Sequence, residues 1–454
     1  MLIRTPHFPA KGDLHPILQP FLEMIPDTLD VTQKRRPQDF TRSRKLPFNK
    51  VILSTMSLVG KGNTNGANTQ IGSLFRNARR SGLWPDAQAV HPSALSKARQ
   101  KVPWEVFQTT LDDAVELAYE LWPDDPQYTW HGMSVYAIDG SKFTLPATEA
   151  MRKEFDPESG LAHAGKGHYP QCLVSTLHDV FRRLPIARTI VSIHGSERDE
   201  AVTLFPYVPE QSVVLFDRGY PSYDLFRLLT TDYRQFFIFR CAATCTFPAV
   251  EAFVNSGKAE ATIWLTPSNT AMARLSPRQR KHLKAIEVRA VLLQHPDGTV
   301  SVLLTNLLDR RLYPREAIID LYFRRWAVEE YYKDEKVTLQ IETFHSQTPN
   351  GIRQELFAAM LMTVIARTLM IVAQKTYLNA HQLCQFKHAI LTLAAEAAVL
   401  VPEEPEQALV IFAELLQEIA RVKYYPPAQP RSSQPRINKH PVNKWSKRNR
   451  RTPT

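Results

Sequence analysis

Residues 321–336, LYFRRWAVEEYYKDEK, decide how this chain is read. At about 100° per helical residue, Tyr322, Arg325, Glu329 and Lys336 fall at roughly 0°, −60°, −20° and −40° around the axis, within an arc of about 60°. One carboxylate is thereby set between two cations and a phenol. A solvated helix face more often scatters its charges or pairs Glu with Lys at four-residue spacing. The focused cluster therefore points to a polyanionic ligand and a metal, although taken alone it is also compatible with a charged surface face.

Two apolar runs upstream supply partners for that face. VYAID, ending at Asp139, and VVLFD, ending at Asp217, each read as a buried strand that terminates in a carboxylate with Gly140 or Gly219 close behind. On neighbouring strands the two carboxylates repel unless they share a proton or a cation. Hard oxygen ligands of this kind suit Mg²⁺ or Mn²⁺. With Glu329 delivered by the helix, such a triad can hold two ions about 4 Å apart for an in-line phosphoryl displacement. An isolated Asp-Gly or Asp-Arg-Gly after a strand would otherwise be a simple turn.

The surrounding pattern is that of a mixed sheet covered by helices. Strands are expected at SVYAIDG, PQCLVSTLHDV, LPIARTIVSI, SVVLFD and QFFIFR, with helices near Glu197–Leu204 and Pro221–Leu229. ATIWL and EVRAVLLQ read as a β-rich insertion over 241–299, after which VSVLLTNL resumes the core and Pro314–Lys336 forms one long helix. Upstream, residues 51–130 read as a helical DNA-binding domain with helices at Gln70–Arg80, Pro92–Gln100 and Pro103–Trp122. There Ser93 is expected to cap a helix whose Lys97, Arg99 and Lys101 meet phosphates. Residues 351–425 read as a C-terminal helical region.

Composition sets further bounds. The 454 residues exceed one simple domain, and 44% hydrophobic with 22% charged residues is ordinary for a globular chain with a real core. The net charge of +11 is uneven: residues 426–454 carry eight Lys/Arg and no acid, and residues 31–50 carry seven against Asp39. With these set aside, the remainder carries −3. The basic N-terminal segment, 1–50, and the Pro-rich tail, 426–454, which reads as disordered, are thus candidate nucleic-acid arms. Four unevenly spaced cysteines argue against a disulfide framework, and Cys241 and Cys245 have no second ligand pair for zinc. The N-terminal MLIRTPHFPAKGDLHP has no apolar signal core, and the apolar stretch Phe357–Val372 is interrupted by Arg367, so it reads as a buried helix. The expectation is a cytoplasmic protein with no membrane partner.

YFRRWAVEEYYKDEK fits the signature Y-x2-R-x3-E-x6-K, and the chain resembles the IS-four (insertion sequence four) family of DDE transposases that carries it. IDGSKFTLP around Asp139, LFDRGYPSYDLFRLL around Asp217 and IETFHSQTPNGIRQELFAAMLM resemble further family segments, in order, over roughly residues 85–375. The resemblance implies an α/β fold: a ribonuclease H-like mixed-sheet catalytic core at 131–240 and 300–350, interrupted by the β-rich insertion and flanked by helical N-terminal and C-terminal regions. It implies catalysis and metal binding by Asp139, Asp217 and Glu329, with two Mg²⁺ ions or Mn²⁺ as a substitute. Tyr322, Arg325 and Lys336 would hold terminal phosphates and help a flipped base. Arg218 and Arg240 would meet the DNA backbone.

Such enzymes can stack the flipped base on a Trp in or just after the insertion. Residues 290–310 contain none, leaving Trp264 and Trp326 as options. The expected partners are terminal inverted-repeat DNA and target DNA, bound by a synaptic homodimer. Alternative readings are a metal-dependent structure-specific nuclease on the same core and a transposase-derived DNA-binding protein without catalysis.

Overall fold

Apolar runs bounded by turn residues form strands where the sequence predicts them. A computed structural model of the protein describes residues 14–26, 36, 39–40, 45–59, 66–159, 168–244, 247–267, 272, 284–295, 298–379 and 381–425. The 426–454 tail, much of the basic 1–50 segment and Cys245 lie outside the described residues. The strands are β1 (Val135–Thr144), β2 (Gln171–Asp179), β3 (Leu184–Ser192), β4 (Val213–Phe216), β5 (Phe236–Ala242), β6 (Glu260–Leu265), β7 (Ile286–Gln294) and β8 (Val300–Thr305). They form one eight-stranded sheet in the order β3-β2-β1-β4-β5-β8-β7-β6.

β1, β2 and β3 are antiparallel, whereas β4 joins β1 and β5 joins β4 in parallel. That half is the mixed sheet expected from the sequence. All four residues of β4 are buried, as befits a central parallel strand covered on both faces. β8, β7 and β6 continue antiparallel from β5, so the strands of the β-rich segment extend the same sheet.

β1 corrects the sequence reading, because it does not end at Asp139. Its pairing with β4 stops at Ala137 opposite Leu215, but its pairing with β2 continues through Thr144 opposite Gln171. One neighbour still supplies hydrogen-bond partners after the other has ended, so the strand persists on that side alone. Asp139 is therefore inside β1, at the point where β4 departs.

The helices before the sheet are α1 (His15–Met24), α2 (Phe48–Ser57), α3 (Ala67–Arg80), α4 (Pro92–Arg99) and α5 (Glu105–Leu121). Within and beside the sheet come α6 (Glu149–Phe155), α7 (Glu197–Leu204), α8 (Tyr223–Arg227) and α9 (Pro248–Asn255). After it follow α10 (Arg315–Phe323), α11 (Trp326–Lys333), α12 (Pro349–Tyr377), α13 (Phe386–Ala395) and α14 (Pro405–Arg421). α12 is long and apolar enough to cross a membrane, but 89% of its most apolar window is buried inside the protein. It serves as the core helix against which the early helices pack. Trp104 stacks on Phe357 at 5.2 Å, and the Trp84 indole N–H donates to the Val401 carbonyl at 2.7 Å.

Two readings of α4 change. His91, not Ser93, caps it: the ring Nδ1 accepts from the Ser93 N–H at 3.2 Å. Arg99 does not face outward but is buried, 2.8 Å from Glu355 and donating to Gln354 and the Gly351 carbonyl. A buried guanidinium needs such partners to offset its desolvation. Lys101 pairs with Asp39 at 2.9 Å, and Lys97 is exposed.

The single long helix expected over 314–336 is also two. At the junction of α10 and α11 the N–H groups of Arg324, Arg325, Ala327 and Val328 each donate three residues back, tightening the helix. Residues three apart eclipse in such a turn, which draws the Arg325 guanidinium over the Tyr322 ring at 5.9 Å and buries it. Beyond Lys333 the coil widens into a π turn, Asp334–Thr338.

That π turn is fixed by a buried ion pair. Arg188 of β3 lies 2.7 Å from Glu335, with both side chains 0% exposed. Arg188 also donates to the Leu356 carbonyl of α12 at 2.8 Å, and the Tyr331 hydroxyl donates to Glu335 at 2.7 Å. Removing one member strands a buried charge, so Arg188→Met is expected to cost about 3–5 kcal/mol in urea unfolding followed by circular dichroism. Adding Glu335→Leu should regain most of that loss. A single variant as stable as the parent would exclude this role for the pair.

Candidate active site

The parallel register of β1 and β4 pairs Val135 with Val213, Tyr136 with Val214 and Ala137 with Leu215. Continued by two residues, it sets Asp139 level with Asp217. Because side chains alternate along a strand, equal level also means the same face. Both carboxylates thus emerge together where the two strands part.

The face of α10 and α11 predicted from the sequence meets this edge. Arg325 Nη2 donates to Glu329 Oε1 at 2.6 Å, and Nη1 lies 3.7 Å from Asp139 Oδ2. The Tyr322 hydroxyl reaches Asp217 Oδ1 at 3.5 Å, and Arg240 Nη1 stands 3.8 Å from the same oxygen. Lys336 donates to the Ser141 hydroxyl at 2.9 Å and the Lys142 carbonyl at 2.6 Å, with its ammonium over the Phe143 ring. The structure therefore brings together Asp139, Asp217, Glu329, Tyr322, Arg325 and Arg240, with Lys336 anchored further along β1. Arg218 and Trp326 are exposed, as is Trp264 on the edge strand β6.

Charge balance at this edge is tight. Burial pushes the Asp139 carboxyl up to about 7; Arg325 opposes the rise, and the Glu329 and Asp217 carboxylates add to it. Burial alone would lower the Arg325 guanidinium, but Tyr322 and the carboxylates of Asp139, Asp217 and Glu329 hold it above its ordinary value. Tyr322 is raised to about 12, by burial first, with Arg325 opposing and Asp217 adding. The Arg325 side chain is 7% exposed, yet its Nε and Nη1 make no hydrogen bond among the described residues. Both are buried donors without an acceptor, Nη1 beside Asp139.

The donor set fits a hard divalent cation: three carboxylates, two of which raise the proton affinity of the third. No group of three His, Cys, Asp or Glu among the described residues is gathered closely enough to hold a metal as it stands. The Arg325 guanidinium, in contact with both Asp139 and Glu329, is lodged among them.

Several positioning residues escaped the sequence reading. The Tyr332 hydroxyl, donating to the Asp139 carbonyl at 2.7 Å, ties α11 to β1 beside the candidate carboxylate. Tyr331 and Glu335 tie the same segment to Arg188. Their signal lay in the quoted stretch itself, in the run YYKDE, but the partners are 143 to 193 residues away.

The transposase DDE domain family matches residues 130–365, just over half of the chain. The chain is 28% identical over 291 residues to the transposase InsG for insertion sequence element IS4 of Escherichia coli K12, a match covering 62% of each protein. It is 27% identical over 220 residues to the putative transposase InsZ of the same organism, covering 46% of this chain and 66% of that one. The chain thus spans less than two thirds of the length of these relatives. Among solved structures, a piggyBac transposase synaptic complex with hairpin DNA gives a TM-score of 0.45 at 9% identity, over 93% of this chain and 88% of that one.

The raised Asp139 predicts a pH signature of the metal-free protein. A carboxyl near 7 when folded and at 3.8 when unfolded keeps its proton longer in the folded state. Its contribution is therefore largest below the unfolded value and falls as pH rises through the folded one, by at most about 1.4 kcal/mol per pH unit. In EDTA, the stability of Asp139→Asn should gain on the parent between pH 4 and pH 7. Parallel stability profiles across that range would contradict the raised carboxyl.

Proposed function

Because the chain belongs to the transposase DDE domain family, we propose that it is a metal-dependent cut-and-paste DNA transposase. The observation that carries this reading is Arg325, buried against Asp139 and Glu329 with Nε and Nη1 making no hydrogen bond among the described residues. Carboxylates and an anion receptor side by side are what phosphoryl transfer on DNA requires.

Asp139, Asp217 and Glu329 would hold Mg²⁺, as two ions or with Mn²⁺ in its place, which when bound supplies Lewis-acid stabilisation at phosphorus and an acidified water. The register of β1 and β4 fixes two of these carboxylates relative to the sheet, and the turn at Arg324–Arg325 aims the third. The Arg325 fork receives non-bridging phosphate oxygens, and Tyr322 and Arg240 brace Asp217. Lys336, bonded to β1, adds positive charge along the strand path. Arg218 and Trp326, both exposed, would meet backbone and base.

In each cleavage, water attacks phosphorus and the bond to the 3′-oxygen breaks, leaving a 3′-hydroxyl. That hydroxyl then attacks the opposite strand to make a hairpin. A second hydrolysis opens the hairpin, and the end joins target DNA. The partners are terminal inverted repeats and target DNA, engaged by a homodimer in the bacterial nucleoid. Residues 51–130 and the basic tail serve as DNA-binding regions.

A nuclease on the same core would stop at cleavage, and a catalytically silent derivative would only bind. Supplied with Mg²⁺, a repeat-bearing DNA end with a free 3′-hydroxyl and target plasmid, the protein should yield joined product. Asp139→Ala, Asp217→Ala and Glu329→Gln should each lower cleavage and joining by at least about a thousandfold, the scale for losing a charge-stabilising group at a reacting centre. End binding in a mobility-shift assay should remain within a few-fold. Cleavage without joining would support the nuclease instead, and full activity in any of these variants would remove that residue from the triad.

A further inference from the structure

We propose that Glu197 is a fourth carboxylate of the catalytic cleft, holding the divalent cation together with Asp139 and Asp217. The inference rests on the metal-dependent reading of the site given above and adds a residue to it.

Glu197 opens α7, the helix that returns the chain from β3 to β4, and Ser196 caps that helix by accepting from the Asp199 N–H. The crossover sets the start of α7 against the very edge where β1 and β4 diverge. A Cβ added at Gly140, the residue after Asp139, would stand 2.8 Å from Glu197 Cδ and 2.9 Å from its Cγ and Oε1. A Cβ added at Gly219, two residues after Asp217, would lie 3.9 Å from Glu197 Oε2. One carboxylate thus reaches across the backbones that follow both aspartates. Glycine inside a strand commonly marks such a close approach, since it gives up packing and chain entropy for room.

Glu197 is partly buried, and it has no hydrogen-bond or ion-pair partner among the described residues. Its neighbour Arg198 does not neutralise it, but donates to the Gly219 carbonyl at 3.0 Å. A second observation points into the same space. The Tyr220 side chain is 1% exposed, its hydroxyl has no partner among the described residues, and it lies in the fields of both Asp139 and Glu197. A buried phenol without an acceptor, beside the unpaired Glu197 carboxylate, is a donor placed for an oxygen-bearing ligand.

The competing explanation is the helix dipole, which favours any acid in a first turn. That explanation covers Glu197, Asp199 and Glu200 alike. It does not account for the one acid that is turned inward onto Gly140, and so the position rather than the charge carries the proposal.

The test is Mn²⁺ titration of the full chain, read by the paramagnetic resonance signal of free Mn²⁺, with thermal melting of each variant alongside. Glu197→Gln should weaken binding by about tenfold or more, with an unchanged melting profile. Asp199→Asn, which removes a charge from the same turn, should stay within about twofold of the parent. Equal losses in both variants would show a general field effect and overturn the proposal. So would parental affinity in Glu197→Gln while Asp139→Asn binds weakly. If Glu197→Gln melts abnormally, Glu197→Ala takes its place under the same criteria. Failure of the parent itself to bind Mn²⁺, or an Asp139→Asn variant with parental affinity, would instead overturn the metal-dependent reading on which the proposal rests.

Discussion

The ion pair between Arg188 and Glu335 constrains the rest of the site. Both side chains are sealed from solvent, and a buried charge is tolerated only when its partners are all in place. Here they come from β3, the π turn after α11, and the backbone of α12. None of the three can move alone without exposing a charge to an apolar interior. Glu335 lies six residues beyond Glu329 and one before Lys336, so the pair sets the depth and rotation of the segment that presents the candidate third carboxylate. Tyr332, bonded to the carbonyls of Asp139 and Val174, completes the attachment from the same side.

In front of that anchor the balance is different in kind. Arg325 contacts Asp139 and Glu329 and Arg240 stands near Asp217, yet two guanidiniums do not neutralise three carboxylates. The Asp139 carboxyl shows the shortfall: burial and two like charges outweigh the cation and carry it to about 7. At the rear of the segment one cation meets one carboxylate, whereas at its front three carboxylates crowd together around Arg325. Such local frustration is expected where a site is organised for a ligand and not for its own stability.

How far the sequence disclosed this arrangement follows from the range of each interaction. Burial periodicity is local, so the strands from Val135 to Thr305, helix α7 and the clustering of Tyr322, Arg325 and Glu329 were legible. Pairing between distant residues leaves no local trace. Arg188 sits 147 positions from Glu335, and nothing in LPIARTIVSI marks its arginine as buried. Arg99 was misread for the same reason: its partners Gln354 and Glu355 are some 255 residues away. The break between α10 and α11 was missed because every residue in FRRWAV is acceptable in a helix. Only the need to bury Arg325 and leave Trp326 partly exposed selects the tight turn.

The register of β1 against β4 shows how ordinary burial encodes the site. Side chains alternate with a period of two, so a slip of one residue would send Asp139 and Asp217 to opposite faces of the sheet. Nothing in the aspartates prevents that slip. What prevents it is the apolar run on each strand: Tyr136, Ala137 and Ile138 beside Val214, Leu215 and Phe216 are all buried. Shifting one strand by a residue would exchange the neighbours of every one of these side chains on both covered faces. The hydrophobic core therefore holds the carboxylates level, and the distance at which they repel is set by residues that never touch them.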